Sequence, residues 1–160
     1  MGVECTIVSP DDDVETLNAA FKENTKCVLT ETITNPSCIV TDIEKFAKVA
    51  HAHGVPLIVD NTFPTPYLCK PIDFGADVVI HSLYESLPSP VQTGLLHVNG
   101  SIVDKEKIRE NLLMLQGDDL SYPLMAAMDE CIEFLSGDSA TWQNFYDRRA
   151  KLSDELKSLK

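Results

Sequence analysis

Short apolar runs alternate along the first two thirds of the chain with segments whose apolar residues recur at helical spacing. The runs are too short for helices and are bounded by Gly, Pro, Asn or Asp, so they predict buried β-strands. The predicted strands are residues 4–8, 27–33, 56–59, 77–80 and 94–98.

Helix-start signals precede the segments between these strands. Asp11, Asp12 and Asp13 offer N-caps, and Gly54 ends the apolar stripe that begins at Ile43. The last third is predicted to be helical over residues 105–115, 122–135 and 139–159. Apolar strands separated by helices indicate a mainly parallel sheet of about five strands in an α/β fold, a three-layer α/β/α sandwich. We expect one domain over residues 1–160, with a helical C-terminal part from about 105 to 160.

The amino-acid composition indicates a globular protein and disfavours two classes of binding partner. A chain of 160 residues with 44% hydrophobic residues is typical of a globular domain. Its net charge of −12 disfavours nucleic acid and anionic lipid as partners. It contains no apolar run of the ~20 residues that span a bilayer, and its N-terminus lacks the pattern of a signal peptide. Five scattered cysteines predict reduced thiols in a cytoplasmic protein, with neither a metal site nor a disulfide set.

Polar residues follow the predicted strands, where open parallel sheets bind ligands. These residues are Asn35, Asp60 with Thr62, and His81 with Ser82. A carboxylate at such a position can hold a cationic ring nitrogen, and a serine can donate to a phosphate. The alternative is that Asn35 and Asp60 only cap turns.

Three segments of the chain carry a resemblance to a known family. They are ETITNP at 31–36, VDNTFPTPYL at 59–68 and GADVVIHS at 75–82. They resemble the pyridoxal phosphate enzymes of cysteine and methionine metabolism, especially O-acetylhomoserine sulfhydrylases and cystathionine γ-synthases or lyases. The resemblance covers about residues 2–82 and implies half of a fold-type I large domain.

Residues from about 83 to 135 have a different resemblance. The segments LPSPVQTGLLHVNG at 87–100 and SYPLMAAMD at 121–129 are similar to ornithine, lysine and arginine decarboxylases, another fold-type I branch. A change of branch between residues 82 and 87 favours a chimeric or designed chain over a divergent natural protein or a truncated one.

The resemblance implies roles for specific residues. Asp60 would pair with the protonated pyridine nitrogen, Asn35 with the phenolic oxygen and Ser82 with the phosphate, while Thr62 supports Asp60. Glu85 stands where both families place the Schiff-base lysine. A carboxylate forms no imine and repels the phosphate. We therefore expect no catalytic residue, no cofactor and vestigial cofactor-binding positions.

The resemblance also implies a phosphate-binding loop and a ring-stacking aromatic upstream of residue 1, and the chain has no G-x-G-x-x-G. Three functions are left open: a non-catalytic fragment or chimera, a working pyridoxal phosphate lyase, transferase or decarboxylase, and a pseudoenzyme that binds a small anion or a partner. We expect self-association as a homodimer, because uncovered sheet edges and apolar faces tend to find partners.

Overall fold

The computed structural model describes residues 2–116, 121–137 and 140–159 around a four-stranded β-sheet. In order across the sheet, the strands are β1 (Val28–Glu31), β2 (Leu57–Asp60), β3 (Val78–Ser82) and β4 (Gly94–Val98). The first three strands are parallel, and β4 runs antiparallel to β3. The predicted α/β fold with a mainly parallel sheet is confirmed.

The predicted strand at residues 4–8 is wrong, so the sheet has four strands where about five were expected. This segment has no strand conformation, and its Ile7 is 91% exposed. A strand forms only where a neighbour satisfies its backbone N–H and C=O groups. The apolar character of the run could not show that such a neighbour is absent.

Helices connect the strands and form the C-terminal third. They are α1 (Val14–Ala19), α2 (Ile43–Ala52), α3 (Thr65–Leu68), α4 (Leu83–Ser86), α5 (Lys105–Leu115), α6 (Tyr122–Ser136) and α7 (Ala140–Lys157). The three C-terminal helices lie where the sequence predicts them, although the expected start at Ser139 is outside the described residues.

Aspartates begin three of these helices. The carboxylates of Asp13 and Asp42 accept hydrogen bonds from the N–H groups of Thr16 and Lys45, at 2.8 and 3.0 Å. Asp104 caps α5 in the same way. Each carboxylate accepts a hydrogen bond from an N–H that has no partner within its helix. Its negative charge also interacts favourably with the positive end of the helix dipole.

The main core lies between α2 and one face of the sheet. Phe46 and Ala50 of α2 are buried with Leu57 and Val59 of β2. Strand residues alternate between the two faces, so the residues next to Val59 point away from α2. On that second face, Leu29 is 67% exposed.

The C-terminal helices form a smaller cluster beside β4. Leu83 and Leu87 are buried with Cys131 of α6, and Trp142 of α7 packs against them. Tyr67 of α3 stacks on Trp142, with ring centroids 5.1 Å apart. In the described part of the chain, no helix is long and apolar enough to cross a membrane.

Candidate functional site

The strand register brings the polar strand ends to one edge of the sheet. Glu31 at the end of β1 pairs with Asp60 at the end of β2. Ser82 at the end of β3 pairs with Gly94. Because β4 is antiparallel, it begins at the edge where the other three strands end. This edge is therefore built from all four strands.

A cavity of about 490 Å³ opens at this edge. All six residues singled out in the sequence line it, namely Asn35, Asp60, Thr62, His81, Ser82 and Glu85. The fold thus gathers positions up to fifty residues apart into one wall, as expected for the carboxyl edge of a parallel sheet.

Short hydrogen bonds hold this wall in place. Oδ1 of Asp60 accepts from the N–H of Thr62 at 2.9 Å, and Oγ1 of Thr62 accepts from the N–H of Ser82 at 3.0 Å. The N–H of Asn35 donates to Oε2 of Glu31 at 2.7 Å. Asp60 therefore caps a turn, as the alternative interpretation held, while also lining the cavity.

A buried polar layer lies directly beneath. The hydroxyl of Thr32 donates to Oδ1 of Asn61 at 2.8 Å, which fixes the orientation of that amide. Nδ2 of Asn61 then donates to Nε2 of His81 at 3.1 Å. Since Nε2 accepts, the neutral imidazole carries its proton on Nδ1.

Burial, which is the largest cause, and the neighbouring His97 together lower the pKa of His81 from its ordinary value of 6.5 to about 4, although Asp60 acts in the opposite direction. His81 is only 4% exposed. The imidazole is thus neutral at pH 7 and supplies no positive charge to the cavity.

Two polar atoms in residues of the cavity wall have no hydrogen-bond partner. They are Nδ1 of His81 and Oγ of Ser82, and both are buried. Buried polar atoms are almost always hydrogen-bonded, so unsatisfied ones mark a place where a partner is missing.

The charged residues that line the cavity are all acidic. Glu31, Asp60 and Glu85 line it, and none of its described lining residues is Lys or Arg. Among the residues that the structure describes, no three His, Cys, Asp or Glu side chains form a group that could hold a metal ion. The carboxylates therefore surround the cavity without converging on one point.

Sequence reasoning missed Glu31, Asn61 and Thr93 as parts of this region. Glu31 was assigned to the interior of a strand that in fact ends at this residue. Thr93 lines the cavity because β4 reverses direction, and no pattern in the sequence indicated that reversal.

The mainly parallel sheet, with Asp60 and Ser82 at its carboxyl edge, places the chain in the α/β class. The chain belongs to the family described as Cys/Met metabolism PLP-dependent enzyme, whose model matches residues 1–112. The matched range includes the boundary near residue 83 at which the sequence analysis expected a change of branch.

Relatives in this family have sulfur-metabolism activities. The chain is 37% identical over 129 residues to L-methionine gamma-lyase of Porphyromonas gingivalis, covering 80% of this chain and 31% of that protein. It is 42% identical over 107 residues to homocysteine/cysteine synthase of Saccharomyces cerevisiae, covering 66% of this chain and 23% of that protein.

Solved structures give the same result. The chain is similar to metB of Corynebacterium glutamicum, with a TM-score of 0.57 and 38% identity over 70% of this chain and 28% of that one. Cystathionine gamma-lyase of Lactobacillus plantarum, complexed with L-serine, has a TM-score of 0.57 and 36% identity over 69% and 28%. The chain thus spans less than a third of the length of each relative and structure described here.

The cavity fits only part of the family's cofactor. Asp60 could face a protonated ring nitrogen, since its Oδ2 has no hydrogen bond to a described residue. At the position that the resemblance gives to the Schiff-base lysine, an aldehyde would meet the carboxylate of Glu85 in place of an amine. A phosphate would have the unpartnered hydroxyl of Ser82 and no cation among the described lining residues. The residues present do not fit pyridoxal phosphate as a whole.

Proposed function

We propose that this chain is a non-catalytic member of its family, whose cavity binds a ligand without forming a Schiff base. The observation that carries the proposal is the presence of Glu85 in the cavity wall together with Glu31 and Asp60. An imine needs a primary amine as nucleophile, and the described lining residues contain none. Asn35, Asp60, Thr62 and Ser82 are in this proposal vestigial cofactor positions, while Glu85 stands at the lysine position.

The test is reaction of the full chain with pyridoxal phosphate, followed by borohydride reduction and peptide mass spectrometry. We expect weak, scattered labelling of surface lysines and no visible absorption band of a single saturable imine. One stoichiometric adduct at one lysine of the unchanged protein would overturn the proposal.

Two variants make the test specific to position 85. Glu85→Lys places an amine in the cavity wall, and we expect it to gain partial labelling at that residue. Tyr84→Lys places an amine at the neighbouring position, which does not line the cavity, and we expect no such gain. Equal labelling of the two variants would contradict a special role of position 85.

A pyridoxal phosphate-dependent lyase, synthase or decarboxylase-type enzyme is the second candidate, and membership of the family favours it. This candidate requires the amine to come from elsewhere in the protein. The adduct experiment separates the two, because an enzyme gives one stoichiometric label and a non-catalytic member does not.

We further propose a chimeric or designed origin, for which the support is the resemblance of the sequence after residue 83 to the decarboxylase branch. The family match over residues 1–112 runs across the proposed junction and does not require such an origin. The proposed junction lies where β3 ends at Ser82 and α4 begins at Leu83. A natural gene that encodes residues 80–90 in one uninterrupted reading frame would contradict this origin.

A further inference from the structure

We infer that the cavity at the carboxyl edge of the sheet binds a small planar organic cation that carries N–H donors. The inference rests on the proposed function and adds the chemical class of the ligand. It follows from the misfit of the cavity to a phosphorylated cofactor.

The first observation is the set of free acceptors. Asp60 and Glu31 each use one carboxylate oxygen, Oδ1 and Oε2 respectively, to accept a hydrogen bond from a backbone N–H. No described residue donates a hydrogen bond to the carboxylate of Glu85. Three carboxylates therefore face one cavity with acceptor oxygens to spare, and none of the described lining residues compensates their charge.

The second observation is independent of the charges. Ser82 has a buried hydroxyl without a partner, and His81, 4% exposed, has a buried Nδ1 without a partner. Both residues belong to the cavity wall. The hydroxyl of Ser82 can accept an N–H of a ligand, and Nδ1 of the neutral His81 can donate to an acceptor on the same ligand.

The lining residues favour an organic cation over a metal ion. The acidic residues do not form a metal-binding group among the described residues. Ile33, Phe63 and Ile80 supply apolar surface next to the carboxylates. A planar ring can lie against this surface, while a forked N–H group, such as an amidinium, matches the geometry of a carboxylate.

Benzamidine is the probe for the carboxylates and for the hydroxyl of Ser82, with the neutral benzamide and the anionic benzoate as ligands of the same shape. Because benzamidine has no acceptor, the contact with His81 is not part of this test. Binding to the full chain is followed by titration in two-dimensional ¹⁵N NMR. We expect saturable shifts at residues 31–35, 60–62 and 81–94 with benzamidine alone. Binding of benzoate as tight as that of benzamidine, or no binding of benzamidine, would overturn the inference.

Matched variants distinguish direct contact with the ligand from an effect of the protein's net charge on binding. Glu85→Gln and Asp60→Asn should each weaken benzamidine binding roughly threefold to tenfold. Glu110→Gln removes the same charge from exposed α5, away from the cavity, and should leave the affinity within about twofold. Equal weakening by all three variants would contradict a built site.

Failure here differs from failure of the proposed function. If benzamidine does not bind and pyridoxal phosphate forms no single adduct, the cation inference is wrong while the non-catalytic function stands. A stoichiometric adduct with pyridoxal phosphate would instead refute the proposed function.

Discussion

Nδ2 of Asn61 donates to Nε2 of His81 across 3.1 Å, and this contact joins β3 to the residue that follows β2. Both side chains are buried, and His81 is also one of the residues that line the cavity. The same NH2 group also lies 3.2 and 2.8 Å from the backbone carbonyl oxygens of Thr65 and Cys69, so that its two N–H bonds are shared among three acceptors. Asn61 thus ties the loop after β2 to the neighbouring strand, and a neutral His81 is part of that connection.

The pKa of His81 predicts how stability depends on pH. The folded-state pKa is about 4, below the ordinary 6.5, so folding favours the neutral imidazole. The contribution is present above pH 6.5 and is lost as the pH falls through the interval toward 4. We expect the urea midpoint to fall across this interval, and His81→Gln to reduce that fall.

The control for this prediction is His53→Gln, which changes an exposed histidine that contacts Asn18. That variant should keep the pH dependence of the unchanged protein. If it flattens the curve as much as His81→Gln, the buried histidine is not the source of the effect.

Asp77 predicts a large loss of stability on truncation. It is 5% exposed, and its Oδ2 accepts from the N–H of Leu57 and contacts Nε2 of His51, both at 2.8 Å. Asp77→Ala leaves a buried backbone donor without a partner, so the free energy of unfolding should fall by about 2–3 kcal/mol. Equilibrium denaturation measures this fall.

Asp73→Ala is the matched control, since Asp73 is an exposed aspartate of the neighbouring 3₁₀ turn. We expect a change within about 0.5 kcal/mol. A loss as large as that of Asp77→Ala would show that the buried hydrogen bonds are not what matters.

Substitution of two glycines distinguishes the cost of a steric clash from the cost of backbone strain. Gly75 has a φ of 96°, and a Cβ there would lie 2.9 Å from Cβ of Ala47 on α2. Gly54 has a φ of 69° with nothing within 4 Å of the added atom. Gly54→Ala should cost about 1–2 kcal/mol from strain alone, and Gly75→Ala clearly more. Thermal unfolding of both variants would contradict this account if the two losses were equal.

The sequence predicted the site residues at the ends of β2 and β3, but not the one at the end of β1. Asp60 and Ser82 end continuous apolar runs, so their placement followed from the pattern alone. Glu31 lies within an apolar run that continues to Ile33, and the run does not show where β-pairing stops. Pairing is a property of two strands, and one strand's sequence does not fix it.

The same limit explains the error at residues 4–8. This run has the composition of a strand, but its Ile7 is 91% exposed and no described strand pairs with it. The C-terminal helices, in contrast, were predicted within a few residues because helical hydrogen bonds are local.

Self-association is predicted from the surface. β1 is an edge strand, and Leu29 in it is 67% exposed. We expect a homodimer in sedimentation velocity at micromolar concentration. Leu29→Lys should shift the distribution toward monomer, because charge on an edge strand opposes pairing.

The control is Ile7→Lys, which adds the same charge at an exposed apolar residue outside the sheet. It should leave the dimer intact. A strictly monomeric unchanged protein, or equal dissociation by both variants, would contradict association through this edge.

Because β4 is antiparallel, one side of the cavity is formed by a short continuous segment of the chain. If β4 were parallel to β3, the chain would need a long crossover from the edge where β3 ends back to the edge where β3 begins. Here the chain turns back within the segment between Ser82 and Gly94, which supplies Glu85, Gln92 and Thr93 to the cavity. One short, contiguous stretch of a gene therefore encodes an entire side of the site. Exchange of that stretch alone would replace these three lining residues, while the half built from β1 and β2 stays as it is.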